Sequence, residues 1–241
     1  MLKPLRELAE FARAAFVDPV PRNHRQSDVA FRRRRVVVGI TIVGGAVLLG
    51  LSLNLSPGDN LFYLTTAVLA AVWVAGAFAS GPLHLGRANT RTRRRFVRPV
   101  LQPFVLGVAA VALFVIGAVI VAHLPPLRDS VNDVLDHARF ASLTVVAIIT
   151  VVNGIAEELF FRGALFAAIG VRYPVLISTA LYGLTTVASG NVMLVFAAVV
   201  LGVIVGLQRR VTGGVLAPII IHCTWSLGML LLLPVLLERL G

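Results

Sequence analysis

The sequence has one cysteine, Cys223, two tryptophans, and half as many acidic residues as basic ones, 11 against 22. A single thiol excludes an internal disulfide and a thiolate metal site. Charge of either sign is scarce: Asp, Glu, Lys and Arg make up 14% of 241 residues, while 58% are hydrophobic and the mean hydropathy is +0.90. That balance excludes a water-soluble domain of ordinary composition and implies a polytopic membrane protein. The formal charge of +11 does not imply nucleic acid, because the basic residues stand in short clusters between apolar runs instead of forming a patch interleaved with aromatics. No repeat of solenoid period and no low-complexity domain is evident. Nor do we expect a cleavable signal, since residues 1–35 are long and charged and the apolar run behind them is long enough to span.

Seven runs are apolar enough for helices crossing a hydrocarbon core of about 30 Å: 36–55, 61–80, 100–124, 141–169, 174–188, 192–207 and 215–237. The fifth and sixth are short and separated only by Ser189, Gly190 and Asn191, which predicts a tight helical hairpin. The fourth exceeds one upright span, so Gly154 or Gly163 is expected to mark a tilt or break. Ahead of the first run, Leu2, Leu5, Leu8, Ala12 and Phe16 fall near helical spacing and fit either a helix on the membrane surface or a partly ordered tail. With the N-terminus inside, the cytoplasmic segments hold eighteen Lys and Arg and the outer ones three, which sets the orientation. Asp129, Asp133 and Asp136 precede the fourth run and are expected in a solvated outer loop. The expected fold class is an all-α polytopic membrane protein of about seven transmembrane helices enclosing an intramembrane polar cavity. It divides into a basic N-terminal segment (1–35), a first group of helices (36–139) and a core (140–241), in an integral protein of the plasma membrane with a cytoplasmic N-terminus.

Charge enters a long apolar run only at Glu157, Glu158 and Arg162. A carboxylate at mid-bilayer costs about 2.5–3.5 kcal/mol on insertion scales, so such a pair is expected to face a bundle interior or a wet cavity. Residues four apart share a helix face, so Glu158 can pair with Arg162 while Glu157 points about 100° away. Glu157 is then left available as a general base toward water, with Asn153, four residues earlier, able to hydrogen-bond to it. Counting inward at about 1.5 Å per residue puts Glu157 and Thr186 each roughly 18 Å deep and His222 roughly 10 Å deep, so the three can converge. His222 stands alone in its span, with Trp225 beside it and Ser226 one turn on. A lone histidine is often structural; beside two intramembrane glutamates we read it as functional.

The run Glu157-Glu158-Leu159-Phe160-Phe161-Arg162 resembles the EExxxR motif of the CPBP family (CAAX proteases and bacteriocin-processing proteins), which includes the type II CAAX prenyl endopeptidases. In that family a FxxxH motif follows on the next helix, and later a histidine with Asn or Asp four residues on. Order and spacing are met across residues 141–237: Tyr182 to Thr186 take the second place and His222 to Ser226 the third, preceded by the basic Thr-Gly turn Arg209-Arg210-Val211-Thr212-Gly213-Gly214. The resemblance implies an intramembrane endopeptidase with Glu157 as the water-activating base, Glu158 and Arg162 as its support and His222 in an oxyanion site; Thr186 and Ser226, at the family's other motif positions, and Asn153, from its spacing to Glu157, are the supporting residues. It implies membrane lipid and a membrane-associated peptide or protein substrate as partners.

Three positions depart from the pattern. Tyr182 for Phe is mild, but Thr186 replaces a histidine and Ser226 replaces Asn or Asp. A threonine hydroxyl can hold a water but cannot titrate near neutral pH, and loss of a general acid-base group costs about 10² to 10⁴ in rate. A catalytically impaired relative that binds a membrane partner is therefore the alternative, and a small transporter or proton relay is a third class without specific support. No cofactor is assigned. A divalent metal such as zinc is not favoured, because catalytic zinc wants three protein ligands dominated by His and the HExxH signature is absent.

Overall fold

The computed structural model describes residues 3–89, 96–140 and 142–240, the side chains of 3, 89, 96 and 138 excepted. The expected start of the fourth run at Ala141 and the basic residues Arg91, Arg93, Arg94 and Arg95 lie outside them. The described chain is predominantly helical: α1 (Lys3–Phe16), α2 (Asp28–Leu53), α3 (Asn60–Ser80), α4 (Leu101–Ala122), α5 (Pro125–Arg139), α6 (Leu143–Glu158), a π-helical stretch (Leu159–Leu165), α7 (Phe166–Ile169), α8 (Pro174–Val187), α9 (Val192–Thr212) and α10 (Leu216–Leu240). Turns and loops join the helices, and among the described residues the strands are one two-residue antiparallel pair, β1 (Ala88–Asn89) with β2 (Phe96–Val97). Among the described residues six helices are long and apolar enough to cross a membrane, counting Leu143–Ile169 as one, and Pro174–Val187 is a shorter apolar helix. The chain is an integral membrane protein.

Four of the spans, α2, α3, α6 and α9, start where a side chain satisfies the first free backbone N–H groups. Ser27 accepts from Ala30 N, Asp59 from Leu61 N, Ser142 from Val145 N, and Asn191 from Met193 N and Leu194 N. The expected hairpin is present: Gly190 takes a positive φ of 71° between α8 and α9, and Asn191 also donates to Ser130 O on α5.

Apolar residues point outward as well as inward, as in a helix bathed by lipid. Val36, Ile40, Val43 and Val47 form an exposed stripe on α2, while its other side closes on α3. There a Cβ at Gly45 would lie 1.9 Å from the Trp73 indole, so only glycine admits the buried ring. Trp73 then reaches the π-helical stretch, stacking against Phe160 at 4.6 Å and Phe161 at 5.1 Å between ring centroids. Small residues that let backbones approach are the usual device of membrane helix packing, where lipid removes the hydrophobic drive between helices.

Three expectations change. The segment with Asp129, Asp133 and Asp136 is the helix α5 and not a solvated loop, because Val131 and Leu135 share a face and bury it against Ala122 and Leu237. α1 is a helix whose Phe11, Ala15 and Phe16 pack with Leu201 and Val205 of α9. Helix α9 also runs past Leu207 to Thr212 and carries Arg209 into the interior, 4% exposed.

Gly45→Val is expected to overpack the α2–α3 contact, lowering stability by about 1–3 kcal/mol in thermal unfolding in detergent. Gly39→Ala, where a Cβ meets nothing within 4 Å, should leave the transition unchanged.

Candidate active site

Glu157 and Glu158 lie at the end of α6, where the helix widens. The N–H of Phe166 bonds to Phe161 O, five residues back, where an α-helix would use Arg162 O. Isolated π turns of this kind recur at functional sites. The Arg162 carbonyl instead accepts from Arg209 Nε at 2.6 Å, and the Arg209 guanidinium lies over the Phe166 ring at 5.1 Å. The wider turn is thus clamped by a side chain from α9. Gly163 lies inside this stretch and Gly154 in regular α6, so the expected break is a widened turn around Gly163.

Glu158 and Arg162 are both 0% exposed. Arg162 Nη1 donates to Glu158 Oε1 at 3.1 Å, and His222 Nδ1 lies 2.8 Å from the same oxygen. A carboxylate only accepts, so this contact assigns the proton to Nδ1. Two helices, α6 and α10, therefore meet on one carboxylate oxygen. Glu158 Oε2 and Arg162 Nε and Nη2 are buried without a hydrogen-bond partner among the described residues.

Glu157 is half-buried and turned elsewhere. Its Oε2 accepts from the Tyr182 hydroxyl at 2.5 Å. The Tyr182 ring lies 4.5 Å from Phe161 between centroids, and the Arg162 guanidinium sits 4.6 Å over it. Tyr182 is thus wedged between the aromatic cluster and the buried cation while its phenol holds Glu157.

Glu157, Thr186 and His222 line one cavity of about 160 Å³ with Tyr182, Trp73 and Trp225, the convergence expected from depth counting. Thr186 Oγ1 donates to Tyr182 O at 2.9 Å, so its proton is spent on its own helix and its lone pairs remain for the cavity. A larger cavity of about 350 Å³, almost wholly apolar, adjoins the first through Leu194, Ala197 and Trp225, which line both.

Two supporting residues fall elsewhere. Asn153 Nδ2 donates to Ile149 O at 3.0 Å, the back-bond to the preceding turn that short polar side chains favour, and no hydrogen bond joins it to Glu157 among the described residues. Ser226 lines the apolar cavity, with its hydroxyl 3.4 Å from Cys223 O. His222 hydrogen-bonds to Glu158, and no hydrogen bond joins it to Glu157 among the described residues. Tyr182 and Arg209 were not anticipated as site residues. Tyr182 had a signal, since it stands four residues before Thr186 on the same face; Arg209 stood in the basic Thr-Gly turn, but nothing there pointed to its acceptor, which exists only once the π turn forms.

The residues do not fit a three-ligand metal site. Glu158 Oε1 is occupied by Arg162 and His222, and among the described residues no group of three or more His, Cys, Asp and Glu could hold a metal ion.

Residues 139–228 match the family model described as type II CAAX prenyl endopeptidase Rce1-like. The match contains the whole EExxxR run, Tyr182, Thr186 and His222, so this segment is similar to that family, consistent with the CPBP resemblance that the motif spacing suggested. No curated protein and no solved structure matches the chain.

Arg162→Met should cost about 3–5 kcal/mol by stranding Glu158, and the double change Glu158→Met with Arg162→Met should recover much of the loss. Chemical unfolding in mixed micelles measures both.

Proposed function

We propose that the chain is an intramembrane endopeptidase that hydrolyses a peptide bond of a membrane-associated substrate. The observation that carries this reading is the cavity shared by Glu157 and His222 beside the Glu158–Arg162 pair, within a segment matched by an endopeptidase family model. In this reading Glu157 accepts a proton from a water in the cavity, the water oxygen bonds to the scissile carbonyl carbon, and the carbonyl oxygen becomes an oxyanion. Tyr182, donating to one Glu157 oxygen, leaves the other for the water. His222, with Nδ1–H on Glu158, offers Nε2 to the cavity: as imidazolium it donates a hydrogen bond to the oxyanion. The proton on Glu157 then passes to the leaving amine as the C–N bond breaks. Thr186 holds the water through a lone pair and moves no proton. The adjoining apolar cavity suits an apolar or lipidated flank of the substrate. With eighteen basic residues on one side against three, the N-terminus is cytoplasmic in this proposal, and the compartment is the plasma membrane.

A second reading rests on Thr186 and Tyr182. With a hydroxyl where a titrating base is expected, and a phenol already on Glu157, the cavity would bind a membrane peptide without cutting it.

Purified protein incubated in detergent with a library of peptides carrying apolar or prenyl groups discriminates the two, with cleavage followed by mass spectrometry. Endopeptidase activity predicts cleavage reduced at least about 10² in Glu157→Gln, and raised in Thr186→His, which restores a titrating group. Tyr182→Phe should lower kcat by about tenfold through loss of one charge-assisted hydrogen bond, and a chelator should leave the rate unchanged. Binding of peptides with no difference in products between wild type and Glu157→Gln supports the second reading.

A further inference from the structure

At one end of the bundle, away from the cavity, three segments distant in sequence meet around the turn between α9 and α10. Val20 N donates to Val211 O at 2.9 Å, Arg87 N to Thr212 O at 2.9 Å, Val215 N to His84 O at 2.8 Å and Leu216 N to Leu85 O at 3.1 Å. Glycine makes this approach feasible: a Cβ at Gly214 would lie 2.0 Å from Gly86 N, and Gly213 has a φ of 72°. The result is a recess of about 470 Å³ lined by Arg22, Asn23, His24, His84, Arg87 and Arg98 with adjoining backbone.

The recess is one-sided in charge. Among its described lining residues there is no Asp or Glu. Arg22 donates to Arg210 O and Arg98 Nη1 to Gly86 O at 3.1 Å, which fixes both guanidinium groups at the rim while leaving further N–H donors on each. His24 and His84 stack face to face, 3.7 Å between centroids and 5° from parallel. Burial, then His84, Arg209 and Arg22, push His24 down to about 4; burial with Arg209 and Arg34 lowers His84. Crowded cations and two imidazoles whose protonated forms are disfavoured describe a site with no acidic partner among its described lining residues, a cost that a bound anion removes.

We propose that this recess binds a phosphate group, with Arg22 and Arg98 gripping its oxygens. Planar guanidinium forks match phosphate oxygens in pairs. The recess opens at the ends of α3, α9 and α10, where a membrane's headgroups lie, so an anionic phospholipid is the expected source; free phosphate shares the chemistry. The proposal holds whether or not the chain cleaves peptides.

Full-length protein in dodecyl maltoside, titrated with dihexanoyl phosphatidylglycerol and read by native mass spectrometry, tests it. One saturable site is expected, weakened about tenfold or more in Arg22→Gln/Arg98→Gln and unchanged in Arg128→Gln/Arg239→Gln, which removes arginines flanking the opposite ends of α4 and α10. Should the first double variant misfold, Arg87→Gln/His84→Asn on the other wall serves with the same expectation. Inorganic phosphate displacing the lipid at comparable concentration identifies free phosphate as the source; failure to displace it identifies the headgroup. Equal binding by wild type and the lining variants, equal binding of phosphate-free dihexanoylglycerol, or no saturable binding overturns the proposal.

Discussion

A single buried carboxylate oxygen, Oε1 of Glu158, carries the arrangement of the polar site. It accepts from Arg162 one turn along its own helix and from His222 on α10. A carboxylate with no exposed surface is tolerable only when paired, and here the pairing also sets geometry. Arg162, held by Glu158, lies over the Tyr182 ring; Tyr182, so covered, donates to Glu157. The orientation of Glu157 therefore depends on Glu158 through two intervening side chains, although the two glutamates are neighbours in sequence.

The surrounding helices supply what a lone carboxylate in hydrocarbon lacks. Trp73, Phe160 and Phe161 pack behind the pair and exclude lipid. The widened turn after Glu158 exposes the Arg162 carbonyl, and Arg209 closes it from α9. Burying a second arginine is costly, so it is matched by a carbonyl acceptor and by an aromatic face at Phe166. The same α9 terminus leads through Gly213 and Gly214 into α10, so one turn joins the brace on the π stretch to the helix that presents His222.

Much of this was legible in the sequence because it depends on one helix at a time. Run lengths located the spans, i to i+4 spacing paired Glu158 with Arg162, and depth counting brought Glu157, Thr186 and His222 to one cavity. What could not be read depends on partners from other helices, except at Asn153, whose own helix supplies the acceptor. Asn153 found a carbonyl of its own preceding turn before it could reach Glu157. Ser226, one turn beyond His222, opened on a different cavity. Arg209 looked like topological charge because its acceptor is created by a π turn that no propensity signals. Tyr182 looked like a mild replacement of phenylalanine, yet its hydroxyl reaches Glu157. The α5 segment, rich in charge, hid a two-residue apolar face that only the packing against α4 and α10 revealed.

The protonation of His222 tests this dependence most directly. In protein labelled with ¹⁵N-histidine and held in detergent, correlation spectra assign which ring nitrogen carries a proton. The account predicts a proton on Nδ1 of His222, shielded from exchange with water, and its loss or displacement in Glu158→Gln. A ring protonated only at Nε2, with a spectrum unmoved by Glu158→Gln, would contradict it.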